Sequence, residues 1–157
     1  MSRVLNRPLS SNTFHFMTFG DKEKQAILDR IKDIPIVKTL DFRIEELAEG
    51  LCRAFVPREV KYDGIYESFH GGLLMTIADS IACFAIMTQT GPDQPMTTTD
   101  MNIRFLAPCR DDVRAVAKVI KCGRTLCPVH VELFEAAGNM VAVAQVTYIR
   151  LERPPRR

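Results

Sequence analysis

The sequence has no Cys-x-x-Cys pair, no excess of either charge, and no spanning-length apolar run free of polar residues. Each absence excludes something. The five cysteines, Cys52, Cys83, Cys109, Cys122 and Cys127, are an odd number in mostly apolar surroundings. They read as free thiols in a reducing compartment, not as a disulfide framework. Cys122 and Cys127 have only His130 nearby and lack the companion ligands of a zinc site, so no metal is expected. A net charge of +2 gives no basic footprint for nucleic acid or for an anionic membrane surface. The one candidate membrane span, Phe69 to Gly91, is interrupted by Asp79 and Ser80.

There is also no repeat and no linker, so 157 residues with 46% apolar content read as one domain. The first twenty residues carry Arg3 and Arg7 but no acid and no apolar stretch of a secretory signal. They read as a loosely ordered arm of a cytoplasmic protein. Residues 1–38 are taken as this arm plus a helix, and residues 39–151 as the main domain.

Periodicity supplies the elements. Ala26, Ile27, Ile31 and Ile34 predict an amphipathic helix over Asp21 to Lys38 that Pro35 ends. Thr39 to Val56 has strand character, with a turn at Ala48-Glu49-Gly50, and Pro57 to Phe69 reads as a loop. His70 to Gln89 predicts the longest helix. Leu73, Leu74, Ile77, Ala78, Ile81, Ala82, Ala85 and Ile86 cover most of its circumference, so it must be buried on several sides. Four strands follow, over Thr97 to Leu106, Val113 to Lys121, Thr125 to Phe134 and Met140 to Leu151. The last two flank an Ala-Gly-Asn hairpin turn. Short connections favour antiparallel pairing, and a meander is expected to wrap around the single long helix. The fold class is therefore α+β.

Three segments, "HGGLLMTIADSIACFAI", "TTDMNIRFLAPCR" and "CGRTLCPVHVELFEAAGNMVAVAQVTYI", resemble the hotdog-fold acyl-CoA thioesterases, in the branch that holds the phenylacetate-pathway enzyme. The resemblance covers roughly residues 40 to 150. It implies a curved antiparallel sheet around a central helix, homodimers that often pair into tetramers, and hydrolysis of an acyl-CoA thioester. CoA would enter as part of the substrate, with no separate cofactor.

The spacing inside "HGGLLMTIAD" carries its own geometry. Asp79 stands nine residues after His70, roughly 180° around and about 13 Å along a helix. One chain cannot bring Asp79 to its own His-Gly-Gly entrance, whereas a two-fold partner can. At that entrance unpaired N–H groups and a partial positive charge stand open behind Gly71 and Gly72, an oxyanion site for a thioester carbonyl. Asp79 would then serve as general base for water or as nucleophile. His70 is expected to orient the entrance loop. The resemblance gives Thr98 a hydroxyl that helps place the water. Arg110, Arg124 and Lys121, with Gly123 and Asn102, are the candidates for holding CoA and its phosphates.

One departure stands against this. Relatives carry Asn six residues before the histidine and Gly where this chain has Glu67. Here "GIYESFHGG" puts Gly64 at the Asn position and a carboxylate near the expected oxyanion. A non-catalytic acyl-CoA-binding protein therefore stands as the alternative. A hydratase acting on enoyl or 3-hydroxyacyl thioesters is a third reading, against which the sequence lacks that group's Pro-Gly entrance.

Overall fold

A computed structural model of the chain describes residues 19–152; the arm expected over the first residues lies mostly outside that range. Helix α1 (Asp21–Ile31) begins behind Gly20, whose backbone N–H donates to Glu23 Oε2 at 3.2 Å. The single helix expected up to Lys38 is in fact two. α1 stops at Ile31, and Pro35 opens a second helix, α2 (Pro35–Thr39). The reason is local, because proline has no N–H to extend a helix from upstream but suits a first helical position. Ile27 and Ile31 are buried in the same core as residues beyond Thr39.

Strands β1 (Arg43–Ala48) and β2 (Leu51–Val56) form a hairpin over Gly50, whose φ of 70° suits glycine. A loop with one 3-10 turn at Val60–Tyr62 leads to α3 (Gly71–Thr90), which ends at Gly91. Then come β3 (Met96–Phe105), β4 (Val113–Val119), β5 (Leu126–Glu135) and β6 (Met140–Arg150).

All six strands join one antiparallel sheet in the order β1-β2-β4-β5-β6-β3. The expected meander holds only from β4 to β6. β3 pairs with β6 at the far edge, and β2 pairs directly with β4. Helix α3 is the cause. Its 20 residues span about 30 Å, carry the chain across the sheet face, and deliver it at the opposite edge.

Ile77, Ala78, Ile81, Ala82, Ala85 and Ile86 of α3 are fully buried, against Ala54, Ala115, Ala117, Val129 and Val131 of the sheet. Small residues on both sides let helix and sheet approach closely. By length and hydropathy α3 could cross a bilayer, but here it is the core that the sheet wraps. One stripe of it stays partly open: Gly72, Thr76, Asp79, Ser80 and Cys83, at helical spacings of three and four.

Candidate active site

Asp79 lies on this open stripe, two turns into α3. Thr98, near the start of β3, donates from Oγ1 to Asp79 Oδ1 at 2.7 Å. The Tyr148 hydroxyl on β6 reaches the same Oδ1 at 2.9 Å and the Asp79 carbonyl at 3.1 Å. Thr98 and Tyr148 are direct cross-strand partners, and a bulge follows at once between Thr98 and Asp100. Both donors converge on one oxygen. Asp79 Oδ2 has no protein donor among the described residues.

Burial pushes the Tyr148 hydroxyl well above the usual tyrosine range, so it stays protonated and donating near neutral pH. Cys83, one turn beyond Asp79, is pushed up to about 11, first by burial and then by the carboxylate's charge. It remains a thiol. Tyr148 was not among the residues expected from sequence. The signal was available: a tyrosine on the buried face of β6, after Ala142, Ala144 and Val146, needs a partner for its hydroxyl.

The helix entrance is a separate arrangement. His70 is the N-cap of α3, and its Nδ1 accepts the Gly72 N–H at 3.0 Å. Its carbonyl accepts from Leu73 and Leu74 at 2.9 and 3.1 Å. The two glycines are thereby distinguished. The Gly72 N–H is capped, whereas that of Gly71 has no partner among the described residues. A Cβ on Gly71 would stand 3.1 Å from the Phe105 ring, so the lack of a side chain lets that ring close over the helix start. Here opens a cavity of about 590 Å³ whose lining includes Gly71, Tyr66, Phe69, Phe105 and Arg110. The helix dipole makes its floor attractive to developing negative charge.

The structure thus brings Asp79 together with Thr98, and Gly71 with Arg110. Within one chain the two pairs stay apart. Asp79 and Thr98 do not line the cavity, and eight residues of helix, about 12 Å, separate Asp79 from Gly71. Lys121, Gly123 and Arg124 sit on the β4–β5 turn, outside both pairs. A Cβ on Gly123 would lie 2.5 Å from the Leu126 carbonyl oxygen, so this glycine is needed for the turn itself. Its own carbonyl accepts from Arg150 Nη1 at 3.0 Å. Asn102 is exposed, opposite Gln145 on β6.

The departures in the entrance loop also find their places. Gly64 donates its N–H to the Ser68 carbonyl at 2.8 Å, and a Cβ there would lie 3.7 Å from His70 Cδ2. Position 64 therefore does face the helix cap. Glu67 takes a left-handed φ of 52°, and its side chain is exposed and off the cavity lining. The Glu67 carboxylate is thus not part of the cavity beside the Gly71 N–H.

The family model described as thioesterase superfamily matches residues 66–142. Human acyl-coenzyme A thioesterase 13 is 32% identical over 93 residues, 57% of this chain and 65% of that protein. The chain therefore spans slightly less than two thirds of that relative. The 1,4-dihydroxy-2-naphthoyl-CoA hydrolase of Escherichia coli is 24% identical over 113 residues, covering 71% of this chain and 83% of the hydrolase. Among solved structures, the E. coli PaaI protein from the phenylacetic acid degradation operon superposes with a TM-score of 0.79 at 20% identity. The overlap takes in 86% of this chain and 97% of that one. At that identity the likeness speaks for the fold.

Proposed function

We propose, from the match of residues 66–142 to the thioesterase superfamily, that the chain hydrolyses an acyl-CoA or aryl-CoA thioester to the free acid and CoA. The observation that carries this reading is the state of Asp79. Two protein donors hold Oδ1, and Oδ2 is left for a water or a carbonyl carbon.

The site is completed by a second copy of the chain. β3 is an edge strand, and Thr97, Thr99, Asp100, Asn102 and Arg104 on it are exposed. A ten-residue open edge of this kind invites pairing. A two-fold partner exchanges equivalent positions, so Asp79 of one protomer meets Gly71 of the partner subunit.

The steps then follow from the groups. The thioester oxygen rests against the Gly71 N–H at the start of the helix. Asp79 Oδ2 takes a proton from water as the water oxygen bonds to the carbonyl carbon. The negative charge on the carbonyl oxygen is stabilised by the amide and the helix dipole, by about 3 kcal/mol for a well-placed donor. The intermediate collapses, the C–S bond breaks, and the CoA sulfur leaves with the proton that Asp79 holds. Direct attack by Oδ2 gives an anhydride that water then opens, with the same products. Arg110 at the cavity rim, and Lys121 and Arg124 on the β4–β5 turn, supply cations for the phosphates of CoA.

Gly64 favours a second reading. With no side chain beside His70, the site would bind acyl-CoA without turning it over. Mixing two inactive variants decides both points. Asp79→Ala alone and Gly71→Val alone are each expected to lose at least about a hundredfold in thiol release. Their mixed dimers hold one intact site, and co-refolding restores up to about a quarter of wild-type activity. Loss without restoration rejects the shared site. A wild type that binds acyl-CoA and releases no thiol supports the binding protein instead.

A further inference from the structure

The cavity at the helix entrance has two walls that are remote in sequence. One is the loop from Asp63 to Phe69, which supplies Tyr66 and Phe69, and the other runs from Leu106 to Arg110. Neither wall is a strand or a helix, and Ile65 and Tyr66 in the first are 89% and 80% exposed. Packing alone does not fix such a loop. Something else must.

Arg58, just after β2, occupies the gap between them. Its Nε donates to Asp63 Oδ1 at 2.9 Å, and its Nη2 pairs with Asp63 Oδ2 and reaches the Glu67 carbonyl at 3.3 Å. Nη1 donates to the Arg110 carbonyl at 3.1 Å. The Arg58 backbone N–H donates to Asp112 Oδ1 at 2.8 Å. One guanidinium thus ties both walls, using the planar fork that only arginine presents. The pair is well covered, with the side chains of Arg58 and Asp63 only 24% and 10% exposed. It also holds the carbonyl of Glu67, whose left-handed φ of 52° is costly for a residue with a side chain. A direct bond between the walls, Phe69 N–H to the Cys109 carbonyl at 2.8 Å, lies alongside.

We infer that Arg58 is a positioning residue for substrate: through Asp63, Glu67 and Arg110 it clamps the two walls of the Gly71 cavity and sets the width of the acyl-CoA site. It touches no reacting atom. This rests on the proposed hydrolase reading for the identity of the ligand. The walls hold substrate and transition state alike, so loosening them weakens binding and leaves the chemical step nearly intact.

The test is steady-state kinetics with hexanoyl-CoA and benzoyl-CoA on Arg58→Gln, Asp63→Asn and the double variant. Arg58→Gln is expected to raise KM about tenfold with kcat within about twofold, the mark of lost uniform binding. Asp63→Asn should raise KM similarly, and the double variant no further, because both open one clamp. Arg58→Lys, which keeps the charge but not the fork, should fall between. Should Arg58→Gln fail to fold, Arg58→Lys and Asp63→Asn carry the same comparison. Unchanged KM in the folded variants, or additive losses in the double, overturns the clamp. If the wild type hydrolyses neither thioester, the hydrolase reading fails by itself. The clamp is then judged by calorimetric Kd for the same two compounds, where equal affinity in wild type and variants overturns it.

Discussion

The two halves of the proposed site are built in opposite ways. The acid half stands on regular structure, with Asp79 on α3 and its donors Thr98 and Tyr148 on paired strands of one sheet. The entrance half stands on loops, and it is held by a histidine cap, a ring closing over a glycine, and a guanidinium between two walls. Helices and strands fix side-chain directions by their own periodicity, so the acid half inherits its geometry from the fold. The entrance half must be fixed contact by contact. On the proposed hydrolase reading, a carboxylate that takes up a proton needs a set orientation, whereas a mouth that admits different acyl groups tolerates adjustment. The acid half should therefore fail through chemistry, and the loop walls of the entrance half through fit.

The sharpest way to break this contrast is Tyr148→Phe. Removing the hydroxyl takes one of two donors from Asp79 Oδ1 and leaves the ring in the core. A loss of about tenfold in kcat is expected, with KM nearly unchanged, since a misaligned base costs rate and not binding. A variant whose KM rises while kcat stays would place Tyr148 on the binding side and undo the division. Gly71→Ala is the gentler counterpart at the entrance. The new Cβ would press on Phe105 at 3.1 Å, and that ring, 51% exposed, can yield. A loss of about threefold to fivefold in kcat/KM is expected, and Phe105→Leu in the same chain should recover most of it by making room. Failure of the second substitution to recover activity would mean that the amide itself, and not the crowding, was disturbed.

How much of this was legible in the sequence follows the same division. The long helix, its histidine start and its glycine end could be read from spacing and end signals, as could the turn at Gly50. Thr98 beside Asp79 followed from a family pattern. Tyr148 was missed, since it meets Asp79 from 69 residues away and nothing local marks it except a hydroxyl in an apolar strand. β3 was put beside β4 because short connections favour neighbours, a rule that α3 overrides by crossing the sheet. The work of Arg58 was invisible. "PREVKYDG" reads as a polar loop, and only the folded chain brings the Arg110 carbonyl, 52 residues on, within reach of it. Gly72 shows the limit of a motif, because the sequence presents two equivalent glycines and the cap makes them inequivalent.

The smallest effect is read in alkali, where one thiol of each half titrates late, Cys83 beside Asp79 and Cys109 on the entrance wall, the latter also pushed up to about 11 by burial. Burial holds the Cys52 thiol up at about 12 and that of Cys83, beside Asp79, at about 11, above an ordinary value of 9.0. Tyr148 is raised as well, from 10.0, again first by burial. Each of these groups loses its proton in the unfolded chain before it does in the folded one. Their contribution to stability is therefore whole below about pH 9 and drains away as pH climbs through the folded values. Urea midpoints measured from pH 8 to 11 should fall steadily with an unchanged slope m. Cys83→Ala, which removes one such acid from the acid half, should be less stable at pH 8 yet decline less steeply. Cys83 is the group that Asp79's charge also raises, so the comparison has a second arm. In the Asp79→Asn background the benefit of Cys83→Ala at high pH should shrink. An alkaline profile identical in all of these chains would show that Cys83 and Asp79 do not share the closely packed surroundings on which the rigidity of the acid half depends.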